Sequence, residues 1–145
     1  MGDRVVTFHV SVKEVINTPA APAWEILSGF RGIEEFSPIS KSQVSGEGVG
    51  AIRTCRMPDG AEIKEVLTKV DHGSMKMTYE MVNSSLPIEQ YKVQLQVMAK
   101  GSDHCEIQYN SSCQINQTLE EDMMKLLQSV YTEIILGLER YLRVV

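Results

Sequence analysis

Two charged residues stand where apolar ones are expected. Between Ala51 and Met57 the odd positions read Ala51, Arg53, Cys55 and Met57; between Ala61 and Leu67 they read Ala61, Ile63, Glu65 and Leu67. Strand side chains alternate between two faces, so Arg53 and Glu65 share a face with apolar neighbours. A charge on such a face is costly unless it is paired or solvated. Three chemistries are open to it. The pair forms a structural salt bridge. Or it lines a wet cavity and orients a carboxylate, carbonyl or hydroxyl of a ligand. Or Glu65 is a catalytic general base whose pKa is raised by burial, with Arg53 or a tyrosine stabilising an enolate oxygen.

The same alternation supplies the surroundings. Met75, Met77, Tyr79 and Met81 share one strand face, Tyr91, Val93, Leu95 and Val97 a second, and Cys105, Ile107, Tyr109, Ser111 and Cys113 a third. Tyr131 falls on the apolar stripe of a helix. A buried tyrosine hydroxyl needs a partner, so four tyrosines and two charges facing one interior point to a space with polar fixtures. Singly, each tyrosine reads as an ordinary core residue bonded to backbone. Methionine suits an adaptable apolar pocket and serves equally as core filler. Trp24 reads as a packing anchor.

Other chemistries find no support. His9 and His104 fall on outer-face positions and His72 in a turn, no two at metal-ligand spacing, so each reads as solvated. Cys105 and Cys113 lie ~26 Å apart on one strand, too far for a disulfide or a shared metal. There is no CxxC and no GxSxG, and Gly46–Gly50 joins two strand patterns as a turn. No metal or cofactor is expected.

The elements that must position these residues follow from periodicity and turn chemistry. Val6–Val12 alternates, with Phe8, Val10 and Val12 on one face. Thr18-Pro19 predicts a helix with Thr18 as cap and Pro19 at its first position, carrying the stripe Ala20, Ala23, Trp24, Leu27 and Phe30. Gly29 and Gly32 end it, and Ile33–Phe36 forms one more helical turn. From Ile39 to Ile115, turn signals cut the chain into six strands, linked closely enough to pair as an antiparallel meander. Thr118-x-x-Glu121 predicts a capping box opening a long helix. Its stripe is Met123, Leu127, Val130, Tyr131, Ile134, Leu138, Tyr141 and Leu142, and at ~35–38 Å it needs a curved sheet to cover it.

The 145 residues, 43% hydrophobic and 23% charged, suit one α+β domain spanning 1–145. A net charge of −5 and a pI of about 5.2 disfavour nucleic acid. Met1-Gly2-Asp3-Arg4 leads into no secretory h-region, and Val6 stands where a myristoylation site wants Ser or Thr. No apolar run approaches the ~18 residues of a bilayer span. Three cysteines without a secretion signal fit free thiols, so a cytoplasmic protein is expected, as monomer or homodimer.

Strand, two short helices, six strands and a long helix in that order resemble the helix-grip superfamily of birch-pollen-allergen-type proteins and START domains. The residues that carry the resemblance are Ala21-Pro22-Ala23-Trp24-Glu25-Ile26-Leu27, Gly48-Val49-Gly50-Ala51-Ile52-Arg53, Asp59-Gly60 with Glu65, Tyr79, and Leu86-Pro87 before Tyr91. They are most similar to the polyketide cyclase/dehydrase-like branch. The resemblance implies a seven-stranded curved sheet gripping the C-terminal helix, and a cavity between them entered through the loops Met57–Gly60 and Asn83–Ile88. Those loops lack the gate and latch patterns of the plant hormone receptors. By position the lining set is Arg53, Glu65, Tyr79, Met81, Tyr91, Tyr109, Leu127, Tyr131 and Ile135. All but Ile135, at the stripe's edge, are also selected by strand register or helix periodicity.

The expected function is binding or transport of a small hydrophobic molecule, with no nucleic acid and no integral membrane partner. The alternatives are a cyclase or dehydratase acting on a carbonyl substrate through Glu65 and Arg53, and a protein-interaction domain whose cavity has collapsed.

Overall fold

The computed structural model describes residues 4–143; residues 1–3, read above for targeting signals, and 144–145 lie outside the described residues. The elements run β1 (Val5–Ile16), α1 (Ala20–Ser28), a 3-10 turn (Ile33–Glu35), β2 (Lys41–Ser45), β3 (Ile52–Arg56), β4 (Glu62–Asp71), β5 (Lys76–Ser84), β6 (Ile88–Ala99), β7 (Cys105–Asn116), a second 3-10 turn (Gln117–Leu119) and α2 (Glu120–Arg143). The seven strands form one antiparallel sheet in the order β1-β7-β6-β5-β4-β3-β2. Its alternating apolar face packs against α1 and α2. Among the described residues, no helix is long and apolar enough to cross a membrane.

The six-strand reading of Ile39–Ile115 holds, and the buried positions keep the expected phase in β3, β4, β6 and β7. β1 continues past Val12 to Ile16: Lys13 points out, and the fully buried Ile16 keeps the phase of Phe8 and Val10. Met75 is not a strand residue. It sits half-buried in the β4–β5 turn at φ 54°, and β5 begins at Lys76.

Both helix starts differ from expectation. Pro19 is the cap of α1 rather than its first residue, and no side chain caps the helix. The buried Thr18 precedes it, and Pro22 occupies a first-turn position where a missing N–H costs nothing. At α2 the predicted Thr118–Glu121 box does not form. Asn116 instead accepts from the Thr118 backbone N–H at 3.0 Å, capping a 3-10 turn that feeds the helix. An Asn two residues before Thr118 takes that donor first.

The α2 stripe is also shifted. Ile135 is fully buried and Gly137 is buried, whereas Tyr141 and Leu142 are only half-buried. Gly137 is required by a close approach: a Cβ added there would lie 2.8 Å from the carbonyl carbon of Phe36 and closer still to its oxygen. This contact brings the segment after the first 3-10 turn down onto α2. At the sheet edge, Arg31 donates to the free carbonyls of Val44 (3.3 Å) and Gly46 (2.6 Å), which blunts β2 against pairing with another chain.

His72 is less isolated than expected. Its Nδ1 accepts a hydrogen bond from Trp24 Nε1 at 3.0 Å, tying α1 to the β4–β5 turn.

Candidate ligand-binding site

Register places Arg53 of β3 directly opposite Glu65 of β4, and Glu65 opposite Met81 of β5. Arg53 and Glu65 are each 5% exposed. Arg53 Nε and Nη2 both donate to Oε1 of Glu65, at 3.1 and 3.0 Å, and the Cys55 thiol lies 3.9 Å from the same oxygen. The Phe30 ring covers one side of the guanidinium at 4.0 Å, and the Tyr79 ring lies 5.0 Å away.

Phe30 was expected on the α1 stripe. It lies beyond the helix at φ 65°, a left-handed conformation uncommon for a non-glycine residue. That conformation ends α1 and turns the ring onto Arg53. Gln90 repeats the device at φ 52°, where a register shift between Glu89 and Lys92 marks a bulge in β6. A bulge re-aims the side chains beside it. The neighbouring Tyr91 is buried with its hydroxyl against that of Tyr131, and Tyr131 stacks on Tyr109 at 4.8 Å between ring centroids.

Burial raises the Glu65 carboxyl above the usual carboxylate range; the charge and hydrogen bonds of Arg53 pull the other way. At Arg53 desolvation opposes the charge and the Glu65 carboxylate favours it, and the guanidinium, intrinsically a very weak acid, stays protonated. Burial pushes the Cys55 thiol up to about 12 and holds Tyr79, Tyr91, Tyr109 and Tyr131 neutral.

An interior void of about 40 Å³ remains beside the ion pair, room for no more than about three waters. Of the expected lining set, Arg53, Glu65, Tyr79, Tyr91, Leu127 and Tyr131 border it. Tyr109 borders a second void of about 10 Å³ that also touches Arg53. Met81 is half-buried and borders neither. Ile135 is buried within the core and borders neither. Met81 keeps its register opposite Glu65, but it is the last paired residue of β5 before the irregularity at Val82.

The expected lining set left out Cys55, Met57 and Ile63, which alternation had put on the inner face, and Ile33, Ile39, Leu86, Val130 and Ile134. Val130 and Ile134 carried a signal, since both lie on the α2 stripe beside Leu127 and Tyr131. Ile33, Ile39 and Leu86 sit in connections, where no period exists to read. Larger hollows, of about 660 Å³ beside Arg31 and Lys64 and about 600 Å³ beside Glu35 and Glu133, are open surface grooves that hold neither member of the buried pair.

Met57 and Leu86 bring both expected entrance loops to the void. The second loop is tied to the first residue of β4, just past the first loop: Ser85 N donates to Glu62 O at 2.9 Å, and Glu62 N donates to Ser85 Oγ at 2.8 Å.

Comparison with known proteins places this architecture. A family profile described as "Polyketide cyclase / dehydrase and lipid transport" matches residues 7–143. The chain belongs to this family. Similar solved structures include XoxI from Bacillus cereus, at 21% identity and a TM-score of 0.81, covering 92% of this chain and 94% of that one. A Thermobifida fusca protein solved by NMR matches at 20% identity and a TM-score of 0.81, covering 93% of each chain. Norcoclaurine synthase from Thalictrum flavum, in complex with dopamine and hydroxybenzaldehyde, matches at 17% identity and a TM-score of 0.76, covering 95% of this chain and 87% of that one. These likenesses show the helix-grip fold. No curated protein matches the sequence.

Proposed function

We propose that the whole chain acts as one domain that binds a small hydrophobic molecule between the concave face of the sheet and α2. One observation carries this reading: a charged pair, 95% buried on each side, borders a void instead of being packed shut. Membership of a family named for cyclisation and lipid transport supports binding in general. Apolar walls from Leu127, Val130 and Ile134 would supply affinity, and the Arg53–Glu65 pair with the Tyr91–Tyr131 hydroxyls would supply orientation. Because 40 Å³ admits no such molecule, binding requires the interior to widen. Met57 and Leu86, at the two loops, are the side chains placed to yield.

The test is native mass spectrometry of protein purified from its own source, followed by thermal shift across aromatic, sterol-like and acyl compounds. The expected result is an excess mass that disappears on denaturation, with at least one class raising Tm. Turnover of the bound compound, lost in Glu65→Gln while binding is kept, would make the protein an enzyme.

A second reading has its own support. The small void and the closed ion pair also fit a protein-interaction domain with a filled interior. No excess mass and no thermal shift with any class would favour it.

The tie between Ser85 and the start of β4 gives a kinetic prediction. Ser85→Ala removes the acceptor of Glu62 N–H at a cost of about 1 kcal/mol. Ligand association, followed by stopped-flow fluorescence, should quicken several-fold; an unchanged rate would place the entrance elsewhere.

A further inference from the structure

The polar valences left open in the interior narrow the chemistry of the ligand; this step rests on the binding reading above. Oε1 of Glu65 takes both donors from Arg53 and lies near the Cys55 thiol, yet among the described residues no hydrogen bond reaches Oε2. Nor is Oε2 among polar atoms sealed in the core without a partner, a class that is empty among the described residues. It therefore opens onto the void that Glu65 borders with Tyr91 and Tyr131. A carboxylate oxygen accepts about two hydrogen bonds, so this is a vacant acceptor awaiting a donor.

Charge decides what kind of donor. Arg53 and Glu65 already balance each other, within a lining that is otherwise largely apolar. An anionic ligand would add a third charge close to Glu65, and its only cationic partner would be the other edge of a guanidinium, Nη1 and the second Nη2 hydrogen, that Glu65 already neutralises. A cation would meet Arg53. A neutral hydroxyl adds no charge and satisfies the vacant oxygen through a charge-assisted bond. We infer that the interior selects an uncharged, largely apolar molecule carrying a hydroxyl, a phenol or alcohol, whose O–H donates to Oε2 of Glu65, and that it rejects the matching carboxylate.

Matched probes test this by calorimetry on the full chain: phenol, anisole and benzoate, and the larger 2-naphthol, 2-methoxynaphthalene and 2-naphthoate. In the series that fits, the hydroxyl compound should bind about 10-fold or more tightly than either companion, the span of one hydrogen bond to a charged group. In the variant Arg53→Met with Glu65→Leu, which removes both charges together, the hydroxyl and methoxy compounds should bind alike. Equal binding of the methoxy compound to the unaltered protein, or tighter binding of the carboxylate, would overturn the inference and leave the binding reading intact. Binding of no compound in either series, with no response to the wider panel, would overturn both.

Discussion

Glu65→Leu is expected to destabilise the protein by about 3–5 kcal/mol, because Arg53 is then buried without a counter-charge and cannot shed its proton. For a chain of this size that lowers Tm by roughly 10–20 °C. Arg53→Met should cost less, since Glu65 can neutralise itself by taking a proton. In that variant burial, the largest influence and the one that raises the carboxyl, is no longer opposed by the charge and hydrogen bonds of Arg53, and only the Cys55 thiol still pulls it down. The folded pKa then lies above the unfolded one, near 4.5, and the folded state binds the extra proton. Stability is therefore fullest below about pH 4.5 and falls as pH rises through the folded value. The double variant Arg53→Met with Glu65→Leu should come within about 1 kcal/mol of the unaltered protein or exceed it, since replacing a buried pair by apolar residues is often neutral or stabilising. Urea melts of the three variants at several pH values check the series. A double variant as unstable as Glu65→Leu would mean that the pair contributes packing or hydrogen bonding that apolar residues cannot replace.

Gly137→Ala is the second large effect. In the exposed interior of a helix this change stabilises by roughly 1 kcal/mol. Here the added methyl would overlap the Phe36 carbonyl, and the obstacle is backbone, which no rotamer change relieves. Overpacking a core typically costs about 1–3 kcal/mol, and a clash with backbone belongs at or beyond the top of that range. Part of the strain should be relieved by lifting the Phe36–Ile39 segment off α2. Ile39 borders the interior void, so the variant should lose ligand binding along with stability. A thermal melt with a ligand titration reads both. A variant of unchanged or raised Tm would show that the segment slides aside at no cost.

The fold was legible because its signals are periodic. Alternation sorted β3, β4, β6 and β7 correctly, and the spacing from Met123 to Leu138 named the buried face of α2. The ion pair was legible for the same reason: a charge in phase with apolar residues stands out, and register then fixes its partner. What escaped was set by three-dimensional approach or by local competition. Gly137 went unread, although a glycine among good helix formers is itself a sign of close contact. The capping box was pre-empted by Asn116, which accepts the Thr118 N–H that the Glu121 side chain would have taken. Phe30 and Gln90 adopt left-handed backbone that no propensity anticipates, and each seats an aromatic ring at the charged pair or the tyrosine pair. Strain held at two positions around one site is the pattern expected where geometry serves binding. Met81 was placed in the right phase, opposite Glu65, but alternation gives a residue's face and not how deeply the last regular pair of a strand is buried.

The most direct test of an interior binding site is methyl NMR of the full chain. The methyls of Met57, Leu127 and Ile134 would be observed during titration with whichever panel compound most raises Tm. Binding between sheet and α2 predicts saturable shifts at these three residues, and nuclear Overhauser contacts from the ligand to them, with little change on the outer face of the sheet. Shifts confined to the grooves beside Lys64 or Glu133, or no saturable shift with any compound, would contradict it.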